Sequence, residues 1–470
     1  MDAFGQVRTW KRAWRLSLTN LLCLGRHTLS NVLCTGGYQF VDWSADYRLF
    51  SVDHWDIARL FGYVLQQVLA RLPASQALVL ALDDTLLRKT GTKAKGVAYR
   101  RDPLSPAFHC NFIHAQRFLQ VAAPLVTRPG PGPARCLPVA YEHAPSVVRP
   151  QRAAPPEQWA QYRQQRRRDN LNTRAVALLA RLRCQVDALP QGGGRRMVIV
   201  VDGSYTNRTV LRGLPARTVL LGRVRKDLKL LAPPRPEEQT GAGRNRRYGQ
   251  ALPTPEALRK DDTVPWQEVE AFAAGKLHRF RIKTLSPVLW AKAGWNRPLQ
   301  MMVIAPLGYR LRQGSRLLYR QPAYLIVTDP QWPTADFLQE YLWRWGIEVN
   351  HRDEKQLVGV GQAQVTNDQA VDRHPSFAVL SYALLLLAAA DTYGADGLDG
   401  LLPPPKWRTG GSPQRLSTQQ MIQELRKEVW AHALGDWDNF DHFVSHVPGH
   451  TKSVELPASL PSAVLYGSVA

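Results

Sequence analysis

The stretch ALVLALDDT (residues 77–85) is a continuous apolar run that ends directly in two carboxylates, Asp83 and Asp84. Six apolar residues without a polar interruption are typical of a strand that is buried on both faces of a sheet. A second run of this kind, MVIVV (residues 197–201), also ends in a carboxylate, Asp202. Open α/β sheets place their sites at the carboxyl ends of strands. The two runs therefore predict an acidic site at one edge of a sheet.

The segments around these two strands predict a mixed α/β fold. Residues 129–156 are rich in Pro and Gly, which is typical of a loop, and residues 157–189 are predicted to form one long, basic helix. A further helix is predicted over residues 336–357. Other strand-like runs occur at residues 97–100, 111–115, 118–126 and 218–224. This order of strands and helices predicts a mixed sheet that is flanked by helices.

Changes of composition divide the chain into five predicted segments. These are a helical N-terminal unit (1–72), the first part of the α/β core (73–231), an inserted, mainly β subdomain (232–335), the second part of the core (336–396), and a linker with a helical tail (397–470). The N-terminal unit has basic flanks, and two interpretations stay open, a reader of DNA ends and a helical cap on the next domain. The apolar run at residues 378–390 is shorter than the ~18 residues of a membrane span and predicts a buried core helix.

The charge balance of the chain favours a polyanionic partner. Lys and Arg total 61 against 38 Asp and Glu, which gives a formal net charge of +23. Such an excess repels itself, and a polyanionic partner would relieve the repulsion. An Arg-rich proteome is the alternative explanation. Five widely spaced cysteines, with no Cys-x-x-Cys pair, favour a reducing cytosol over a disulfide framework or a structural zinc site. We therefore expect a cytoplasmic protein without a membrane segment.

The segment from Tyr341 to Lys355 carries a polar stripe. At the angular spacing of a helix, Tyr341, Arg344, Glu348 and Lys355 fall within roughly 60° of one another. Trp, Ile and Val occupy positions on the neighbouring faces. Such a stripe is either a solvated surface or the lining of a site, and the spacing alone leaves both open.

The spacing of these four residues resembles the YREK signature of insertion-sequence DDE transposases, which are DNA-cutting enzymes. Asp83, Asp202 and Glu348 also stand in the order Asp, Asp, Glu that this superfamily uses. Asp83 and Thr85 resemble its Asp-x-Thr pattern around the first acid. The long interval between Asp202 and Glu348 resembles members that carry a β insertion at that point. The resemblance covers about residues 75–395.

The resemblance implies a ribonuclease H-like fold in which Asp83, Asp202 and Glu348 hold two Mg²⁺ ions, for which Mn²⁺ can substitute. Mg²⁺ prefers oxygen ligands, and two such ions can activate a nucleophile and stabilise the leaving oxygen of a phosphodiester. The residues implied to contact DNA phosphates near the scissile bond are Tyr341, Arg344 and Lys355. The implied partner is double-stranded DNA, both the terminal repeats and the target, bound by a homodimer at the prokaryotic nucleoid.

Two questions stay open at this point. The Asp-x-Thr pattern favours Asp83 as the first acid, but Asp84 is adjacent, and because side chains alternate along a strand only one of them can face the site. The function is either that of an active transposase, which cuts at the ends of its element and joins 3′-hydroxyls to target DNA, or that of a catalytically silent DNA-binding descendant. A different nuclease on the same fold is a third possibility.

Overall fold

The computed structural model of the chain describes residues 3–91, 94–106, 108–126, 130–235, 245–293, 295–310, 314–394 and 416–435. The N-terminal part of the chain is helical, with α1 (Val7–Leu22), α2 (Leu29–Thr35), α3 (Ser44–Ser51) and α4 (Ile57–Arg71). The elements that follow are β1 (Leu78–Arg88), β2 (Ala98–Arg101), β3 (Phe112–Val126), β4 (Ala134–His143), α5 (Pro156–Arg168), α6 (Leu171–Ala188), β5 (Met197–Val201), α7 (Arg208–Arg212) and β6 (Thr218–Arg223).

The second half of the chain adds further strands before it returns to helices. The first group is α8 (Pro255–Lys260), β7 (Gln267–Ala273), β8 (Lys276–Trp290), β9 (Trp295–Ile304), β10 (Gly308–Tyr309), β11 (Leu318–Tyr319) and β12 (Ala323–Val327). The closing helices are α9 (Thr334–Trp343), α10 (Trp345–Gln356), α11 (Asp368–Tyr393) and α12 (Thr418–Gly435). The predicted linker at residues 403–405 and the tail beyond residue 435 lie outside the described residues.

Among the described residues, ten strands form one large mixed sheet in the order β2-β3-β1-β5-β6-β12-β9-β8-β7, with β4 also paired to β3. Strand β1 is antiparallel to β3 and parallel to β5, and β5 is parallel to β6. Strand β4 is antiparallel to β3 and so runs in the direction of β1. Helices cover both faces. The predicted fold class, a ribonuclease H-like mixed sheet flanked by helices, is confirmed.

The strands that follow residue 232 lengthen this sheet. Strand β12 pairs antiparallel with β6, with Ile326 opposite Gly222, and β9, β8 and β7 extend the sheet beyond it. The inserted segment is mainly β, and its backbone hydrogen bonds tie it directly to the strand beside β5.

The central strands are apolar on both faces, as their unbroken apolar sequences predict. Alternate residues of β1 and β5, such as Leu80 and Ile199, pack in one large cluster with α4, α6 and α11. The intervening residues, such as Val79 and Val198, pack in a second cluster with α9. Among the described residues, α11 is the helix long and apolar enough to cross a membrane, but 67% of its most apolar window is buried in the protein. It is the predicted core helix.

Three local predictions were wrong. The proposed loop at 129–156 contains β4, whose Pro138 lies at a shift of the β3–β4 register, where a proline removes no ladder hydrogen bond. The single helix predicted at 157–189 is divided into α5 and α6, because Asn170 caps the start of α6. The helix predicted at 336–357 is divided into α9 and α10 at Arg344.

Candidate active site

Strands β1 and β5 bring two carboxylates side by side at one edge of the sheet. Leu82 pairs with Val201 in the parallel register, so Asp83 and Asp202 follow at equivalent positions. Because side chains alternate along a strand, both acids lie on the face that carries α9 and α10. Asp202 follows the carboxyl end of β5, as predicted, whereas β1 continues beyond Asp83 to Arg88, so Asp83 lies within its strand.

Helix α10 brings a third carboxylate, Glu348, to this edge because it packs closely on the sheet. Ile347 is fully buried in a small cluster with Cys136 of β4. A Cβ atom on Gly346 would lie 2.3 Å from Sγ of Cys136, so the helix approaches the strand at a distance that only glycine allows. Asn350 Nδ2 donates a hydrogen bond to the carbonyl of Cys136 at 3.0 Å. These contacts fix the helix and the position of Glu348.

The three acids line one cleft. Its volume is about 1850 Å³, and Asp83, Asp202, Glu348 and Arg344 are all among its lining residues. The structure therefore brings together acids from two strands and one helix on one surface. Asp83 and Glu348 are more than 260 positions apart in the chain.

Arg344 connects two of the acids. Its Nη2 donates a hydrogen bond to Oε1 of Glu348 at 2.8 Å, and its Nη1 lies 3.5 Å from Oδ2 of Asp83. The side chain of Arg344 is 12% exposed and that of Glu348 is 36% exposed, so their contact is partly desolvated. The cation lies between carboxylates that would otherwise repel each other.

The electrostatics of Asp83 favour a bound cation. Burial, with the nearby charge of Asp202, raises the pKa of Asp83 to about 7. Three carboxylates form the oxygen donor set that hard divalent cations prefer, and a cation would relieve the cost of ionising Asp83. Within the described residues, no three acidic, His or Cys side chains are grouped closely enough to hold a metal ion together, and Glu348 contacts Arg344. The three carboxylates thus have the oxygen donors that suit a divalent metal, while Glu348 is hydrogen-bonded to Arg344.

Asp84 lies on the opposite face of β1 from Asp83. Its Oδ1 accepts a hydrogen bond from the hydroxyl of Tyr205 at 2.8 Å, and its Oδ2 lies 3.2 Å from Nε of Arg117. Tyr205 is fully buried. Asp84 therefore has structural partners, and among the described lining residues of the cleft only Asp83 of this pair is present.

The other residues of the predicted stripe lie at the border of the site. Burial against the α9 cluster raises the pKa of Tyr341, and its ring centroid is 5.9 Å from the guanidinium carbon of Arg344. Lys355 is about 10.5 Å further along the helix axis than Glu348, and it is absent from the described residues that line the cleft. Burial lowers the pKa of Lys355, whose charged neighbours are Glu354 and Arg88.

The sequence motifs missed a set of basic residues that line the cleft beside the acids. Half of them lie in the sequence RVRKDLK (223–229), which begins at the end of β6. That position was the signal, because residues at the carboxyl end of a strand beside β5 must lie near Asp202. The described basic residues that line the cleft are Arg208, Arg223, Arg225, Lys226, Lys229, Arg259, Lys292 and Arg344.

Comparison with known proteins agrees with this geometry. Residues 6–290 match the family described as DDE superfamily endonuclease. The matched range includes Asp83 and Asp202 and ends before Glu348, so the place of Glu348 rests on the geometry of α10. No curated protein is significantly similar to the chain. Because the match spans more than half of the 470 residues, the chain belongs to the DDE superfamily endonucleases.

Proposed function

We propose that this endonuclease is a DNA transposase, which cuts at the ends of its own insertion element and joins the freed 3′-hydroxyls to target DNA. The observation that carries the proposal is the convergence of Asp83, Asp202 and Glu348 on one cleft that also contains Arg344. A nuclease needs the acids alone. Arg344 stands four positions before Glu348, as in the transposase signature, and this spacing supports a transposase rather than another nuclease.

In this proposal Asp83, Asp202 and Glu348 hold the catalytic ions, with Mg²⁺ as the metal and Mn²⁺ as a substitute. Two divalent cations bound there would activate the attacking hydroxyl and stabilise the leaving oxygen. Attack by water breaks the bond between phosphorus and the 3′-oxygen, which leaves as a 3′-hydroxyl. That hydroxyl then attacks a phosphorus of the target strand and displaces the target's own 3′-oxygen, which leaves as a 3′-hydroxyl. When Glu348 binds metal, the planar fork of Arg344 is left to donate to a phosphate oxygen.

The basic residues of the cleft are the proposed contacts to the DNA backbone. They line the same cleft as the acids, so a duplex that they bind would lie across the cleft with one phosphate at the proposed metal ligands. Tyr341 and Lys355 are proposed to contact phosphates at the border of this surface. The transposase resemblance further supports a homodimer that acts on DNA in the prokaryotic cytoplasm.

The test uses a plasmid that carries the coding frame with its natural flanking DNA. Purified wild-type protein with Mg²⁺ should break strands at the two borders of the element and yield products joined to a second DNA. Asp202→Asn, which keeps the size of the side chain, should still bind the DNA but yield neither product. If the wild-type protein binds DNA and cuts nowhere in Mg²⁺ or Mn²⁺, the chain is instead a catalytically silent DNA-binding protein.

A further inference from the structure

Helix α5 lies on the surface and packs only partly against the described part of the protein. In the part of the chain that the structure describes, α5 buries none of its 13 residues. Isolated helices of this length are marginal in water, and helices in proteins are held mainly by packing of an apolar face. Within the helix the rings of Trp159 and Tyr162 are in contact, and Arg149, which precedes α5, stacks on Trp159.

The charge of α5 is strongly one-sided. It contains Arg163, Arg166, Arg167 and Arg168 against one acid, Glu157. All four arginines are exposed, and among the described residues none of them forms an ion pair with a carboxylate. Arg163, Arg166 and Arg167 fall within an arc of roughly 100° around the helix axis. They therefore form a cationic stripe, called here the α5 stripe, in which like charges oppose helix formation unless an anion lies against them.

The chain topology places this helix at the catalytic edge of the sheet. Thr85 of β1 pairs with Phe118 of β3, which pairs on its other side with His143 of β4. His143 thus lies level with Thr85, two strand spacings or about 10 Å away. Because β4 and β1 run in the same direction, the chain leaves the sheet at His143 on the edge that carries Asp83, and it then forms α5.

A small cavity lies between α5 and Arg117 of β3, which contacts Asp84 on the face of β1 opposite the cleft. Tyr162 and Arg166 of α5 line a cavity of about 290 Å³ together with Arg117. Nε of Arg117 in turn lies 3.2 Å from Asp84, the neighbour of Asp83. The basic residues after β6 lie on the other side of β1 and β5. The catalytic edge thus has one basic surface on each side.

We propose that the α5 stripe is a second DNA-contacting surface, which binds phosphates of duplex DNA beside the segment held in the cleft and becomes a stable helix only when it does so. The inference rests on the proposed function in that the partner is duplex DNA. Charge complementarity identifies the partner, since a regular row of phosphates matches arginines spaced along one helix face and supplies the anions that α5 lacks.

The first measurement is the salt dependence of binding to a duplex, in EDTA so that no strand is cut. Each lost phosphate contact should lower the slope of log affinity against log salt by about 0.9. The triple variant Arg163→Gln, Arg166→Gln, Arg167→Gln should therefore lose about 2 to 3 from the slope between about 50 and 200 mM salt. The matched control is Lys276→Gln, Arg279→Gln, Arg281→Gln, three exposed cations on β8 at the far end of the sheet, and its slope should change little.

The second measurement is amide hydrogen exchange of residues 156–168 in the wild-type protein, with and without duplex. These amides should exchange rapidly alone and be protected when DNA is bound. Unchanged exchange, or equal slopes for the α5 triple and the β8 triple, would overturn the inference and leave the proposed function intact. Protection of α5 by DNA in a protein that cuts nowhere would support the inference and overturn the transposase proposal.

Discussion

The guanidinium of Arg344 donates a hydrogen bond to Oε1 of Glu348 at 2.8 Å. The arginine and a metal ion therefore compete for the same carboxylate. We expect Arg344→Gln to bind Mn²⁺ at least as tightly as the wild type in the absence of DNA, yet to cut about tenfold more slowly or worse, which is about 1.4 kcal/mol of barrier. Calorimetric titration with Mn²⁺ and single-turnover cleavage give the two values.

Arg352→Gln is the matched control for this prediction. Arg352 is on the same helix, but its Nε donates to Asp353 at 2.9 Å and its side chain is 60% exposed. Its removal should leave both Mn²⁺ affinity and the cleavage rate near those of the wild type. Weaker Mn²⁺ binding by Arg344→Gln would show that the arginine positions Glu348 for the metal and does not compete with it.

The two neighbouring aspartates should respond in opposite ways to substitution. Asp83→Asn should abolish cleavage and keep the fold, because Asp83 faces the cleft. Asp84→Ala should keep measurable cleavage but lower the free energy of unfolding by about 1–3 kcal/mol, since it leaves the buried hydroxyl of Tyr205 without its acceptor. Thermal unfolding and strand-cleavage assays on both variants decide this. A fully active Asp83→Asn would assign the first acid elsewhere.

Substitution of Lys355 should impair the reaction with DNA but not the binding of metal. The residue lies about two helical turns beyond Glu348, so Lys355→Ala should leave Mn²⁺ affinity unchanged while single-turnover strand joining falls about tenfold. Lys355→Arg, which retains the charge, should recover part of the rate. If Lys355→Ala joins strands normally and only its melting temperature falls, the lysine is a structural partner of Glu354 and not a DNA contact.

Glu340 gives the protein a stability that depends on pH. The side chain is 7% exposed, and Oε2 accepts a hydrogen bond from Nε1 of Trp332 at 2.9 Å. Burial, with the nearby charge of Asp336, raises the pKa of Glu340 from 4.5 to about 8. Between these two pKa values the unfolded chain has released the carboxyl proton of Glu340 while the folded protein keeps it. The free energy of unfolding therefore falls as pH rises, by up to about 1.4 kcal/mol per pH unit.

Glu340→Gln should remove this dependence, because a glutamine has no proton to lose and still offers an oxygen to Trp332. Its stability advantage over the wild type should grow as pH rises from about 4.5 to about 8, as followed by chemical denaturation. Glu268→Gln, at an exposed position of β7, is the control and should follow the wild-type curve. Parallel curves for Glu340→Gln and the wild type would contradict the prediction.

The fold could be predicted from the sequence where one physical signal was dominant. Unbroken apolar runs before Asp83 and Asp202 are hard to place anywhere except in a central sheet, and the order of the intervening elements then limits the topology.

The missed elements depend on partners that are distant in the chain. Strand β4 contains Pro138, which opposes a strand prediction, and the strand forms because the β3–β4 register shifts at that point. No local pattern shows that β12 would pair with β6 and lengthen the sheet. Alternation along β1 shows that Asp83 and Asp84 point to opposite faces, but it does not show which face carries α10. The sequence alone therefore could not tell which of the two aspartates faces the cleft.

The close approach of Gly346 to Cys136 means that the volume of one residue, and not its charge, sets where Glu348 lies. Gly346→Ala would insert a methyl group against sulfur and push α10 away from the sheet. A copy of this gene could thus keep all its acidic and basic signature residues and still be silent. For the proposed transposase, the mobility of its element would then be decided partly at positions outside the signature.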